Sequence, residues 1–276
     1  MKNSIKLIAP IAGLVLATTA QANVTVRGSD TMVIMNQQLA EAFGDKNPST
    51  PVNVTGGGSS IGINAFINGV ANIAASSRPM RFSEIQRARG RGAIANEIPV
   101  ALDGLAIIVN KNNPVKSVTM DQLRKIYVGQ ITNWSALGGS NAPITVFSRD
   151  SNSGTYGFFQ ANVLKNQNWG KGVRFMPSTA DELREVGRSA NGIAYGGVAY
   201  FKNDSRVRIV PVAASATSTP LMPTEDNVRS KKYPIWRYLY YYTNGKPSGD
   251  TKKFIDFTLS PAGQAVIEKV GYYSVK

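Results

Sequence analysis

The sequence predicts an α/β fold with mostly parallel sheets. Short β-branched runs alternate along the chain with segments whose apolar residues recur at helical spacing. Four of the strand-like runs end in hydroxyl-rich turns that open a helix, as the carboxyl edge of an open parallel sheet requires.

Val24-Thr25-Val26-Arg27 alternates as a strand, Gly28-Ser29-Asp30 turns, and 31–46 carries Met32, Met35, Leu39, Ala42 and Phe43 on one helical face. Asp30 is placed to cap that helix, yet the same loop can present the Thr31 hydroxyl and its amides to a ligand, flanked by Ser29, Asp30 and Met32. Pro51-Val52-Asn53-Val54-Thr55 is a second strand and 61–69 a short helix. Between them, Gly56-Gly57-Gly58-Ser59-Ser60 lets backbone approach an anion, or is simply a flexible loop. No Gly-Lys-Ser/Thr follows, so nucleotide binding of the P-loop kind is discounted.

A third strand over 71–80 ends on Ser76-Ser77-Arg78, two hydroxyls and a guanidinium ahead of Pro79. Residues 81–91 predict a basic surface helix with Arg81, Arg87, Arg89 and Arg91 solvated. The stretch 97–110 is two strands, or one long strand bent at Asp103-Gly104 that passes between domains. A helix at 120–127 and a strand at 143–148 lead to Arg149-Asp150-Ser151-Asn152-Ser153-Gly154-Thr155 and a helix at 156–164. Beyond it come a helix at 181–186, strands at 191–197 and 206–212, and a polar loop at 213–224. An aromatic strand at 235–242 is either a return crossing or an ordinary core strand, and helices at 250–259 and 261–270 close the chain, Pro261 favouring a first turn.

Lys2 and Lys6, the apolar run 7–17 and Ala20-Gln21-Ala22 predict a cleavable leader over 1–22, so the product is expected to be exported and soluble. Removing those 22 residues from 276 leaves 254, enough for one large or two ordinary domains, and takes the charge from +14 to +12. Such a balance favours anions. Nucleic acid is disfavoured, because the basic residues are scattered without alternating aromatics. The chain has no histidine and no cysteine, which removes the usual general base, the commonest zinc ligand, thiol chemistry and lipid anchoring at the cut; no metal or other cofactor is expected.

The turns at Thr31, at Ser59 and Ser60, at Ser76 to Arg78, and at Arg149 to Thr155 can converge on one crevice. Free helix-start amides, the dipole's positive end, the Ser153 and Thr155 hydroxyls and the planar Arg149 fork suit a tetrahedral oxyanion. The alternative is a Ser/Asn N-cap with Arg149 solvated.

These residues also carry a resemblance. Gly28-Ser29-Asp30-Thr31, Gly58-Ser59-Ser60-Ile61-Gly62, Ala75-Ser76-Ser77-Arg78, Asp103-Gly104-Leu105-Ala106-Ile107-Ile108-Val109-Asn110, Ile126-Tyr127-Val128-Gly129-Gln130-Ile131-Thr132-Asn133-Trp134, the Arg149 to Thr155 stretch and Gly192-Ile193-Ala194-Tyr195 resemble, in order, the phosphate-binding proteins of phosphate-specific ABC transporters, the PstS-type family. The resemblance implies a type II periplasmic binding protein: two α/β lobes, at 23–104 with 235–276 and at 105–234, a hinge of two crossing strands, and a cleft that holds dehydrated phosphate. It implies a monomeric periplasmic receptor that hands phosphate to a membrane permease driven by a separate ATPase. Thr31, Ser59, Arg149, Ser153, Gly154 and Thr155 match family ligand positions, with Ser77 and Arg78 beside them and Ser60 and Ser76 flanking. At Ser77 the family's best-known pattern has an aspartate that accepts the ligand's proton. Asp30 or a hydroxyl lone pair would have to replace it, which bears on phosphate against sulfate. Other readings are a receptor for another oxyanion, a phosphatase or hydrolase built on Ser153, and an extracellular adhesion protein on the same fold.

Overall fold

Residues 24–275 are described in the computed structural model, and the leader expected at 1–22 lies outside them. Strand β1 (Val24–Gly28) buries Val24 and Val26 on alternate positions, as a half-covered strand should. A 310 turn (Asp30–Met32) then delays the expected helix, which runs as α1 (Val33–Gly44) and buries Met35, Leu39 and Phe43. The pattern repeats through β2 (Val52–Thr55), α2 (Ser59–Ile67), β3 (Ile73–Ser76) and α3 (Phe82–Gly90). Arg81, Arg87, Arg89 and Arg91 are exposed, as the basic helix predicts.

Next comes β4 (Ala95–Asn110), one continuous strand of 16 residues, which decides between the two readings of 97–110. After it lie β5 (Val118–Thr119), α4 (Met120–Tyr127), β6 (Thr145–Arg149), α5 (Gly154–Asn162), β7 (Arg174–Met176) and α6 (Thr179–Arg188). A reciprocal capping box between Thr119 and Gln122 starts α4. The chain continues as β8 (Gly192–Gly197), α7 (Val198–Phe201), β9 (Val207–Val210) and β10 (Val212–Ala213), the strand expected at 206–212 breaking at Pro211. It ends with α8 (Glu225–Arg229), β11 (Trp236–Asn244), α9 (Gly249–Leu259) and α10 (Pro261–Val270).

The strand order is β2-β1-β3-β11-β4-β8-β6-β7, with β9 also on β4 and a separate β10-β5 pair. Five of the nine described pairings are parallel; the four antiparallel ones all involve β4 or β11. Those two strands therefore join two parallel half-sheets, and β11 is the return crossing rather than an ordinary core strand. Its ladder with β4 shifts register between Leu239 and Tyr240, beside Pro99, which has no amide to donate.

Each half-sheet is covered on both faces, giving an α/β protein of two lobes. In the first lobe Leu39, Phe43, Tyr241, Phe254 and Ile267 share one core and Ile63, Phe66 and Tyr240 another. In the second, Leu123, Tyr127, Phe159 and Tyr195 pack on one face and Phe147, Val186 and Phe201 on the other. Where the strands cross, Arg237 lies opposite Asp103 in the register, and its Nε donates to Asp103 Oδ2 at 2.9 Å. Asp103 Oδ1 also accepts from the Val198 amide at 3.2 Å, while Arg237 Nη1 donates to the Ser77 carbonyl at 3.1 Å. The side chains are 2% and 0% exposed, so removing one partner strands a charge in the interior. Arg237→Met is expected to cost about 3 kcal/mol, measured as a lower urea midpoint, whereas Arg237→Met with Asp103→Leu should recover most of it.

Candidate functional site

Strands β1, β3 and β6 end at one edge of their half-sheets, and the helices that follow start there. The turns bring four hydroxyls into one buried chain. Thr31 Oγ1 lies 2.8 Å from Thr155 Oγ1, Thr155 Oγ1 lies 3.4 Å from Ser77 Oγ, and Ser77 Oγ lies 3.3 Å from Ser59 Oγ. None of the four residues is more than 1% exposed. Thr31, Ser59 and Ser77 come from the first lobe and Thr155 from the second, so the cluster exists only because the two halves meet.

Two glycines make that approach possible. A Cβ on Gly154 would stand 2.2 Å from Ser59 Oγ and 2.7 Å from Ser77 Oγ. Gly58 has φ +113, which L side chains rarely adopt, and a Cβ there would meet the Asn152 carbonyl oxygen at 2.5 Å. The same carbonyl accepts from the Ser60 amide at 3.0 Å, tying the two turns directly.

Donor inventory shows what the cluster can offer. Ser153 caps α5, its Oγ accepting from the amides of Thr155 and Tyr156, so its own proton is left to give. Ser59 Oγ accepts from the Ser77 amide at 3.1 Å, which leaves its proton for the Ser77 hydroxyl or for a ligand. With the Ser60, Thr155 and Tyr156 amides already bonded, the leading amides of Ser59 and Gly154 are the ones left to offer, and both helices present their positive ends here.

Arg149 is 1% exposed, so the solvated alternative fails although Ser153 does cap. Its Nη1 donates to Asp30 Oδ2 at 3.1 Å and to Thr179 Oγ1 at 2.9 Å, and Nη2 to the Pro177 carbonyl at 2.8 Å. Asp30 makes no side-chain cap; its Oδ2 instead takes Arg149 and the Thr179 amide at 2.8 Å, because a buried guanidinium holds a carboxylate more strongly than a helix start does. Tyr200 OH closes the same seam by donating to the Asp30 carbonyl at 2.8 Å.

Behind Arg149 sits Glu182, 0% exposed, with no hydrogen-bond partner on either carboxyl oxygen. Burial pushes its carboxyl well above the usual range; the Arg149 charge opposes this and the charges of Asp30 and Asp181 reinforce it. A carboxyl raised in the folded state stabilises below its unfolded pKa, and that contribution is lost as pH rises towards the folded value. Glu182→Gln should therefore melt at progressively higher temperature than the wild type as pH rises from about 5 to about 8. A constant difference would show that Glu182 is already ionised.

The other predicted residues lie one step out. Arg78 gives Nη1 and Nη2 to Glu84 at 2.8 and 2.7 Å and Nη2 also to Ser60 Oγ at 3.2 Å, so it braces the Ser59 turn. Ser76 Oγ turns back to the Arg78 carbonyl at 2.6 Å, Ser29 is buried with its amide on the Ala75 carbonyl, and the Met32 side chain belongs to the first lobe's core. Sequence reasoning passed over Thr179, Pro177 and Glu182. Ser178-Thr179-Ala180-Asp181 begins a helix behind a strand, with Ser178 Oγ accepting from the Asp181 amide at 3.0 Å, so this is a fifth turn of the same design. A helix start placed at Asp181 hid it.

Residues 16–262 match the PBP superfamily domain. The phosphate-binding protein PstS of Pseudomonas aeruginosa is 31% identical over 273 residues, covering 93% of this chain and 84% of that protein. A structure from Clostridium perfringens assigned as a phosphate ABC transporter substrate-binding protein, solved with phosphate bound, has a TM-score of 0.84 at 33% identity, covering 92% of this chain and 99% of that one. An ABC-type phosphate transport receptor from Vibrio cholerae has a TM-score of 0.73 at 29% identity, with 91% and 99% covered.

Proposed function

The chain belongs to the PBP superfamily and, within it, to the PstS family of phosphate-binding proteins, and from that premise we propose how it works: as an exported receptor that captures inorganic phosphate between its lobes. The phosphate is delivered to the permease and ATPase subunits of an ABC transporter. No helix among the described residues is long and apolar enough to cross a membrane. The observation that carries this reading is the buried hydroxyl chain joining Thr31, Ser59, Ser77 and Thr155 across both lobes.

In this reading the Thr31, Ser59, Ser153 and Thr155 hydroxyls, the Ser59 and Gly154 amides that lead α2 and α5, and Arg149 donate to a dehydrated phosphate. Charge-assisted hydrogen bonds contribute about 1.5 to 3 kcal/mol each, so several reach the roughly −8 kcal/mol of micromolar binding after association costs. Lobes at 23–104 with 235–276 and at 105–234 fit the point where β4 leaves Trp236, opposite Gly104, and joins β8 at Leu105. A leader over 1–22 would carry the chain out of the cytoplasm to a periplasm. We read the protein as non-catalytic: the Ser153 hydroxyl is held by two amides, and among the described residues no lysine or carboxylate is hydrogen-bonded to it. Titration calorimetry of refolded, ligand-stripped protein with phosphate tests the assignment; an absence of heat with phosphate and arsenate would overturn it.

Selectivity follows from the acceptors. Hydrogen phosphate brings a proton and sulfate none, and a carboxylate at Ser77 would repel sulfate. Here a serine stands at that place, and Asp30 Oδ2 is committed to Arg149 and Thr179. We assign the acceptor to the Ser77 lone pair, one neutral bond of about 0.5 to 1.5 kcal/mol, so sulfate should compete at roughly tenfold lower affinity. Absence of competition at a thousandfold excess would return the acceptor role to Asp30.

A further inference from the structure

At the far end of the first lobe runs a trench made of two adjoining concavities of about 630 and 590 Å³ that share Ile67, Asn68 and Arg91. Helix α2 starts in the hydroxyl cluster at Ser59 and ends in this trench at Ile67, which places the two roughly 13 Å apart along its axis. Arg87, Arg91 and Lys246 line it, all are exposed, and none is in an ion pair among the described residues. No aspartate or glutamate lines either concavity.

The amide side chains reinforce that asymmetry. Asn72 Oδ1 accepts from the Thr25 amide at 2.7 Å, Asn244 Oδ1 from the Ile94 amide at 2.8 Å, and Asn64 Oδ1 from Arg87 Nη2 at 2.9 Å. The Asn72 and Asn244 oxygens are thus taken by backbone amides and the Asn64 oxygen by the trench's own Arg87, so the NH2 group of each remains as a donor. A concave wall of cations and donors without carboxylates selects an anion. Two adjoining concavities of this volume have room for more than one ion, which suits an extended ligand.

We propose that this trench is a second anion site that takes a linear chain of phosphates, inorganic polyphosphate being the simplest. Guanidinium forks at Arg87 and Arg91 match paired phosphate oxygens, and Lys246 adds a point charge beyond them. A polymer carrying bases would need an aromatic face to stack on, and the aromatic residue of the lining, Phe66, is 3% exposed.

The test is fluorescence anisotropy of labelled linear polyphosphate with the whole protein, in saturating inorganic phosphate so that the cleft between the lobes is occupied. Binding is expected to weaken at least tenfold in Arg87→Ala/Arg91→Ala/Lys246→Ala, and the slope of log affinity against log salt to fall by about two. Lys111→Ala/Lys116→Ala/Lys171→Ala removes as many exposed charges from the second lobe and should change binding less than twofold. The proposal is overturned if the trench variant binds like the wild type, if the control variant loses as much, or if single-stranded DNA or a polyuronate of equal charge binds as tightly. Phosphate titration of both variants should match the wild type, so a failure here leaves the interlobe receptor reading standing.

Discussion

Replacing Arg149 by alanine is expected to weaken phosphate binding about a hundredfold. Arg149 is buried, and its bonds to Asp30, Thr179, Pro177 and the Met176 carbonyl use all but one of its N–H groups and fix the fork in place before any ligand arrives. A guanidinium held this way spends little entropy on binding and gives its remaining Nη2 proton to the ligand, one charge-assisted bond of about 1.5 to 3 kcal/mol. Removing it also leaves Asp30 beside an anion with nothing to offset its charge. At about 1.4 kcal/mol per tenfold, those losses give the stated factor. Because the substitution vacates a buried cationic position, Arg149→Lys serves as its companion: it keeps the charge, loses the planar fork and should bind between the two. Calorimetry on all three, with circular dichroism as the check on folding, decides the matter. Equal affinity in Arg149→Ala and the wild type would remove Arg149 from the site.

Gly154→Val should abolish high-affinity binding while leaving both lobes folded. The added Cβ would stand 2.2 Å from Ser59 Oγ, a distance that real side chains essentially never show, and the two methyls extend further towards Ser77. Ser59 is 0% exposed and is fixed by the Ser77 amide at 3.1 Å, so it has nowhere to move. The strain can be relieved by opening the lobes, since Ser59 and Gly154 belong to different ones. Binding should fall at least a thousandfold, with phosphate no longer raising the melting temperature. Unchanged affinity would mean that the α2 and α5 starts do not have to meet.

Much of this was legible in the sequence because it rests on local chemistry. β-branched runs and helical spacing placed most strands and helices, and the glycine and hydroxyl turns marked where the ends converge. The long crossing strand showed in the unbroken apolar run from Leu105 to Val109, but not whether Asp103-Gly104 interrupted it; the answer lies in Arg237, 134 residues away. Asp30 defeated local reasoning for the same reason. Its position predicts a cap, and the partners that take its carboxylate, Arg149 and Thr179, are 119 and 149 residues distant. Glu182 reads as an ordinary first-turn acid of α6, and only the folded chain reveals that it is wholly buried, near enough to Tyr127 and Tyr195 for its charge to act on them.

The most direct measurement is a crystal structure of the protein with phosphate. One ion is expected between the lobes, its oxygens within hydrogen-bond reach of Thr31, Ser59, Arg149, Ser153 and Thr155 at once. A phosphate bound by residues of a single lobe, or lodged only in the basic trench, would contradict it.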